Sequence, residues 1–237
     1  METGAYVGTE LQLFARALRW KQYYRSLFSE YLRGDVLEVG AGLGGTAEVL
    51  CDGSQRSWLC LEPDQQMVNE IKQKVRNQTL PRCCDARAGI TADIDSACRF
   101  DCILYIDVLE HISDHQSELA KVVTHLRPGG TLVIMSPAHQ YLYTPFDKAI
   151  GHFRRYSAED LATLVPKQLQ QVSMRYLDCA GFFASLANRL LLKQSMPTES
   201  QILFWDRVLI PFSTVADRIL SYRFGKSVLG IWKKTGA

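Results

Sequence analysis

The chain has 237 residues, 47% of them hydrophobic and 22% charged, with a formal net charge of +2 at pH 7. That composition fits one soluble α/β domain with a full core and excludes a disordered or fibrous chain. The small charge, with no dense Lys/Arg block, gives no reason to expect a nucleic-acid partner. The N-terminus lacks a basic stretch followed by an apolar one, so no signal peptide is expected. The apolar stretches Phe182 to Leu192 and Ile202 to Phe212 are interrupted by Asn188-Arg189 and Asp206-Arg207. They also fall short of the roughly 20 residues that span a bilayer. Seven cysteines, at 51, 60, 83, 84, 98, 102 and 179, are odd in number and show no CxxC spacing. Reduced thiols in a cytoplasmic protein are the expectation, with no metal.

Residues 10 to 32 read as a helix, with Leu11, Phe14, Ala15, Leu18, Tyr24, Leu27, Phe28 and Tyr31 near helical spacing and Gly34 as a stop. A strand follows at Asp35 to Val39, then a glycine turn, a short helix at Thr46 to Leu50, and a strand at Ser57 to Leu61. Asp64 can cap the next helix, with Met67, Val68, Ile71 and Val75 on its inner face. Leu80 to Ala86 gives a weaker strand signal, and Phe100 to Ile106 reads as a strand buried on both faces. Ser113 with Gln116 forms a capping box for a helix carrying Leu119, Val122, Val123 and Leu126. Arg127-Pro128-Gly129-Gly130 stops that helix before a strand at Thr131 to Met135.

Beyond Pro137 the pattern changes. Residues 138 to 156 are rich in Tyr, His, Phe and Arg with little periodicity and read as a functional loop. A helix starts at the capping box of Ser157, and Val172 to Leu177 is a sixth strand. About fifty residues of helical pattern precede a last strand at Ser227 to Trp232. Within them Trp205, Val208, Leu209, Phe212, Val215, Ile219 and Leu220 form one stripe, which Pro211 should break or kink into two helices. Strands alternating with helices argue for a doubly wound, Rossmann-like α/β sheet. The expected organisation is a single domain over 1–237. It divides into an N-terminal helical segment (1–34), a cofactor-binding core (35–178), a helical insert or lid (179–225) and the last strand (226–237).

The glycine turn carries the first chemistry. Val36-Leu37-Glu38-Val39 runs into Gly40-Ala41-Gly42-Leu43-Gly44-Gly45-Thr46, a backbone that can lie directly against a ligand and feed free N–H groups toward it. Gly40, Gly42 and Gly45 satisfy G-x-G-x-x-G, and Glu62 lies near the offset of a ribose-binding acid, so NAD is permitted.

Further motifs separate the readings. Glu38 before the glycines, Asp85-Ala86 after the third strand, Asp107-Val108-Leu109-Glu110-His111-Ile112 after the fourth and Leu126-Arg127-Pro128-Gly129-Gly130 before the fifth occur in order. With them the chain resembles the class I S-adenosylmethionine-dependent methyltransferases. The resemblance implies a seven-stranded sheet whose last strand is antiparallel, S-adenosylmethionine as cofactor and S-adenosylhomocysteine as product. It places Gly40, Gly42 and Gly44 at the amino-acid moiety, Glu62 and Pro63 at the ribose, Asp85 and Ala86 at the adenine, and Asp107 at the edge of the fourth strand. Glu38 either touches the ligand or orients the loop from behind, and an N-terminal helix carrying Tyr24 could close over the site.

Gly151-His152-Phe153-Arg154-Arg155-Tyr156-Ser157 resembles a G-H-x-R-R-Y signature of a bacterial subgroup of these enzymes. On that basis Tyr143, His152, Arg155 and Tyr156 are candidate acceptor-binding residues. His152, His111 and His139 are candidate general bases, since an imidazole can be neutral near pH 7; each could instead make a structural hydrogen bond. Arg154 and Arg155 either clamp an acidic acceptor or pair with Glu159 and Asp160. The insert reads as a lid, as core packing, as a dimer face or as a surface meeting a lipid. The expected activity is methyl transfer to a small biosynthetic acceptor at O, N or C, by a monomer or homodimer. A lipid-linked or envelope-glycan acceptor, with peripheral membrane contact, stands as an alternative. So do a non-catalytic S-adenosylmethionine-binding protein and, last, an NAD-dependent oxidoreductase.

Overall fold

The structure is a computed structural model that describes residues 13–189 and 197–236. Helix α1 (Leu18–Phe28) leads into β1 (Asp35–Val39), α2 (Ala47–Leu50), β2 (Ser57–Glu62), α3 (Gln65–Arg76), β3 (Cys84–Ala88), β4 (Phe100–Ile106), α4 (His115–Val122) and β5 (Leu126–Pro137). Then come α5 (Pro145–Ala149), α6 (Ala158–Leu164), β6 (Leu169–Leu177), α7 (Cys179–Ala187), α8 (Glu199–Phe204), α9 (Ile210–Ile219) and β7 (Ser227–Lys234). The strands form one sheet in the order β3-β2-β1-β4-β5-β7-β6. All neighbours as far as β5 run parallel, and β7 is antiparallel to both β5 and β6.

Alternation along the strands explains why both faces are covered. Val36, Cys102, Leu104, Val133 and Met135 point into a core shared with Trp20, Tyr24 and Phe28 of α1. Leu37, Ile103, Tyr105, Leu132 and Ile134 point into a second core with Leu119 and Val122 of α4 and Leu161 of α6. Asp64 caps α3 as expected, accepting from the backbone N–H groups of Gln66 and Met67, and the Ser157 box closes reciprocally with Asp160. The seven cysteines are all free thiols.

Several boundaries differ from the sequence reading. Continuous α1 begins only at Leu18, because Ala17 leaves helical geometry; residues 10–12 lie outside the described residues. β3 starts at Cys84 and runs to Ala88, paired to β2 through Glu62 opposite Ala88. The cap of α4 is Asp114, whose carboxylate accepts from Ser117 N–H, so the Ser113 box does not form. Pro128-Gly129-Gly130 does not end an element. It forms an irregularity inside a longer β5, where the register to β4 jumps between Phe100–Leu126 and Cys102–Thr131. β6 and β7 are each longer than read.

Pro211 sits in the first turn of α9, where it needs no hydrogen bond from its nitrogen. The chain from α8 stays helical into it through a wider π turn at Trp205–Leu209, so the run continues without a break. The stripe is split. Trp205 packs inward, whereas Val208, Phe212, Val215, Ile219 and Leu220 face solvent, with Phe212 63% and Ile219 77% exposed. Residues 190–192 of the other apolar stretch lie outside the described residues. Among the described residues no helix is long and apolar enough to cross a membrane.

Three buried carboxylates dock the insert. Asp206 accepts from the N–H of Trp20 at 2.9 Å, and Asp217 accepts from the Tyr23 hydroxyl at 2.7 Å. Asp217 also takes the N–H groups of Asp178 and Cys179, and Asp178 takes the Trp205 indole N–H at 2.7 Å. The insert is thereby tied to α1 beside the carboxyl edge of the sheet.

At the opposite edge, Asp35 and Asp101 share Arg56 and Arg127, with Arg127 at 2.8 Å from each. Hydrogen bonds from Arg56 outweigh burial and, with Ser57 and Arg127, hold the Asp35 carboxyl well below the usual carboxylate range. A folded-state pKa below the unfolded one, near 3.9, gives stability that is present above about pH 4 and lost as pH falls further. Unfolding free energies measured from pH 5 downward should therefore fall more steeply for the wild type than for Asp35→Asn. Parallel acid limbs would refute this.

Candidate functional site

The glycine loop leaves β1 by left-handed turns. Gly40 has φ +66° and Gly42 φ +54°. A Cβ on Gly40 would lie 2.7 Å from both Val108 methyl carbons, so no other residue fits without displacing the β4 loop. Glu62, at the end of β2, holds the loop from below. Its Oε2 accepts from Gly42 N–H at 2.9 Å and its Oε1 from Asp64 N–H at 3.1 Å. Burial raises its pKa, opposed by those two N–H groups. Each oxygen retains a further lone pair. Glu38 lies behind the loop, buried, accepting from the Trp58 indole N–H at 2.8 Å; burial pushes its pKa up to about 7. It is not part of the cavity lining, and its hydrogen-bond partners are Trp58 and Cys60 of β2.

A cavity of about 240 Å³ opens where β1 and β4 end. Gly40 and Gly42 form one side and Asp107, Glu110 and His111 the other. Tyr24, Lys21 and Trp205 lie across it, and His152, Arg155 and Lys226 close its far end. Asp107 takes φ +53°, a conformation that Asp tolerates better than most side chains. Its carboxyl is set deep yet open to the cavity. Burial raises its pKa, opposed by His152, Lys226 and Arg155. Lys21 reaches the Ala15 carbonyl, and burial lowers its pKa.

The far end is organised by Asp147, itself fully buried. Thr144-Pro145-Phe146-Asp147 makes a capping box at the start of α5, and Asp147 takes both the Thr144 N–H and hydroxyl. The same carboxylate accepts from Arg155 Nε at 2.8 Å and Nη2 at 3.0 Å, and from His152 Nδ1 at 3.0 Å. Burial would raise its pKa, but the hydrogen bonds from His152 and Arg155 and the Arg155 charge hold it well below the usual range. The His152 ring stands edge-on to His111, centroids 4.5 Å apart at 82°. Its Nε2 lies 3.7 Å from Glu110 Oε1. Burial, and secondarily His152, lowers the His111 pKa to about 4, so its ring is neutral near pH 7.

Of the residues singled out in the sequence, Tyr24, Gly40, Gly42, Asp107, His111, His152 and Arg155 meet at this cavity. Others do not. Asp85 is the second residue of β3, opposite Leu59, with an exposed side chain turned onto its own backbone at Ala86 N–H. The two extra residues of β3 carry its carboxyl end to Ala88, so Asp85 and Ala86 lie short of the site. Pro63 is exposed, and Gly44 faces Ile71. Tyr143 donates to the His152 carbonyl at 2.7 Å and Tyr156 bonds His115 Nδ1 at 2.7 Å, so both brace the wall from behind. His139 stacks on Tyr176 at 4.8 Å, outside the cavity lining. Arg154 donates to the carbonyls of Ile112 and Ser113, and Arg155 is committed to Asp147; neither pairs with Glu159 or Asp160.

Lys21, Glu110, Asp147 and Trp205 carried no site role in the sequence, and Lys226 was read only as a cation that could meet a lipid surface. Lys21 could have been found one turn before Tyr24 on the same helix face, and Asp147 from its Thr-Pro-x-Asp cap.

Residues 3–170 match the family model described as a methyltransferase domain. A protein of Mycolicibacterium smegmatis named a probable S-adenosylmethionine-dependent methyltransferase is 26% identical over 168 residues, 70% of this chain. The match spans about three fifths, 61%, of that relative's length. Among solved structures, the N-methyltransferase NodS of Bradyrhizobium japonicum in complex with S-adenosylhomocysteine is 16% identical, with a TM-score of 0.57, over 91% of this chain and 85% of that one. An S-adenosylmethionine-dependent methyltransferase of Clostridium acetobutylicum is 15% identical, with a TM-score of 0.58, over 92% of each chain. The [4+2]-cyclase SpnF shares the fold as well, at 16% identity and a TM-score of 0.62 over 90% of this chain and 81% of that one.

Breaking a buried ion pair by removing one partner costs about 3–5 kcal/mol. Asp147→Ala should accordingly lower the unfolding free energy by that order in a denaturant titration. A loss under about 1 kcal/mol would show that Arg155 finds another acceptor.

Proposed function

The chain belongs to the methyltransferase-domain family, with a domain of the S-adenosylmethionine-dependent kind, and from that premise we propose that it moves a methyl group onto O, N or C of a small biosynthetic acceptor. The observation that carries this reading is the joining of the Gly40–Gly42 turn and Asp107 in one cavity at the carboxyl edge of adjacent strands, where open α/β sheets bind ligands.

S-adenosylmethionine supplies, when bound, a methyl on a sulfonium sulfur already activated for displacement. The residues fit it. Gly40 and Gly42 bring bare backbone to the cavity wall, the Lys21 ammonium suits a carboxylate, and the spare lone pairs of Glu62 suit ribose hydroxyls. The aromatic side of Tyr24 and Trp205 keeps water out. His111, His152 and Arg155 define the acceptor end. In-line transfer of this kind depends mostly on alignment, where effective molarities reach about 10⁵–10⁸ M, so a general base is needed only where the acceptor must lose a proton.

Calorimetry with S-adenosylhomocysteine and with NAD, side by side, should give binding of the first alone. Binding of NAD alone would overturn the assignment in favour of an oxidoreductase. Binding of S-adenosylhomocysteine with no transfer of isotope-labelled methyl to any extract component would favour a cofactor-binding protein.

A second reading, a lipid-linked acceptor, draws support from the outward apolar stripe of Val208, Phe212, Val215 and Ile219. Under the first reading the label transferred to a cell extract stays in the aqueous phase on solvent partition. Label moving into the organic phase would favour the lipid-linked acceptor.

A further inference from the structure

Glu110 is the least satisfied side chain in the cavity wall. Its carboxyl group is fully buried, and neither oxygen makes a well-formed hydrogen bond; the Ser136 hydroxyl beside it is likewise without one. A buried, unpaired carboxylate is strongly unfavourable, and every other acid around this cavity end has a partner or an open solvent face.

The neighbouring imidazole makes the problem sharper. Asp147 is held as a carboxylate by the Arg155 fork, and its Oδ1 lies 3.0 Å from His152 Nδ1. Nδ1 therefore carries a hydrogen and donates to Asp147, and in the neutral ring Nε2 carries a lone pair. That lone pair faces Glu110 Oε1 across 3.7 Å, too long for a hydrogen bond. Two acceptors confront each other with no group of the chain between them. His111 brings a third donor. The ligand-type atoms of Glu110, His111 and His152 all lie within 4.8 Å of one another, and the two rings are nearly perpendicular.

We propose that Glu110, His111 and His152 form a binding site for a divalent transition cation of the Mn²⁺-to-Zn²⁺ series. Donor atoms that share one ion at about 2.1 Å sit roughly 3.0–3.4 Å apart. The 3.7 Å gap closes on an ion with a shift of a few tenths of an ångström. Two imidazoles with one carboxylate favour this series over Mg²⁺ or Ca²⁺, which prefer all-oxygen sets. Asp147 then has the second role such sites require, a carboxylate behind the histidine that fixes its tautomer and aim. The sequence conceals the arrangement because Glu110 and His111 are adjacent, whereas His152 arrives from the segment after β5.

Glu110, His111 and His152 line the same cavity as Asp107. There the ion would take oxygen donors of an acceptor, and the imidazole lone pairs would be committed to it and not free as bases. That consequence rests on the methyl-transfer reading; the cation site does not.

The test uses the full chain stripped of metal. Co²⁺ should develop a visible d–d absorption of nitrogen-ligated type, saturating at one ion per chain, and Mn²⁺ titrated against its free-ion electron paramagnetic resonance signal should give the same stoichiometry. Glu110→Gln keeps the shape of the side chain and should weaken Mn²⁺ at least tenfold, as should His152→Ala. Unfolding midpoints confirm that each variant is folded, and the wild-type Co²⁺ spectrum stands even where one is not. No saturable binding of Mn²⁺, Co²⁺ or Zn²⁺ at millimolar ion overturns the proposal, as does binding that Glu110→Gln leaves unchanged. Calorimetry with S-adenosylhomocysteine on the metal-free chain is read separately. Its failure would count against the methyl-transfer reading and leave the cation site standing.

Discussion

The reversal of strand order between β1 and β4 is the constraint on which the rest depends. β1 passes its chain outward toward β2 and β4 passes its own toward β5, so the loops leaving these adjacent parallel strands diverge. A crevice at their carboxyl ends is unavoidable. What the sequence adds is a pair of left-handed turns at its two lips, Gly40 and Asp107, each steering the backbone away from the gap. Strands β5, β7 and β6 then widen the sheet, and α1 and the insert cover the opening. The cover is fastened by Asp206 and Asp217, which satisfy N–H and hydroxyl groups of α1 that apolar packing alone would leave without acceptors.

The far wall of the crevice sets two buried carboxylates against each other. Asp147 receives donors from Thr144, His152 and Arg155, a fully satisfied network that rigidifies α5 and the segment after it. Glu110 lies across the His152 ring. One acid of this wall thus sits in a closed network, and the next has no well-formed hydrogen bond.

Most of the sheet could be read from apolar runs, because strands buried on both faces need little context. Register was harder. β3 slid by several residues because Leu80 and Cys84 satisfy the same apolar pattern, and the slide displaced Asp85 from the site. Pro128-Gly129-Gly130 read as a stop, since a turn and a strand irregularity use the same residues. The α9 stripe left several roles open because helical periodicity says that a face is apolar and not what lies against it. Within the site, the glycine loop and Asp107 were legible because backbone geometry demands particular residues there. Lys21, Lys226 and Trp205 were not, because they come to the cavity only through tertiary packing. Glu110 stood inside a recognised motif yet carried no role until its lack of a well-formed hydrogen bond was visible.

β7 lies between β5 and β6, although β6 precedes it in the chain. The sixth strand, at the sheet edge, has no hydrogen-bonding neighbour until residues 178–226 have been made and the seventh has entered. At synthesis rates of roughly 5–20 residues per second, that is a wait of several seconds. Direct annealing of β6 onto β5 is the obvious misstep during it, and would bury the slot that β7 needs. The helical insert docks on α1 and returns the chain in the antiparallel sense in which the last strand lies between β5 and β6.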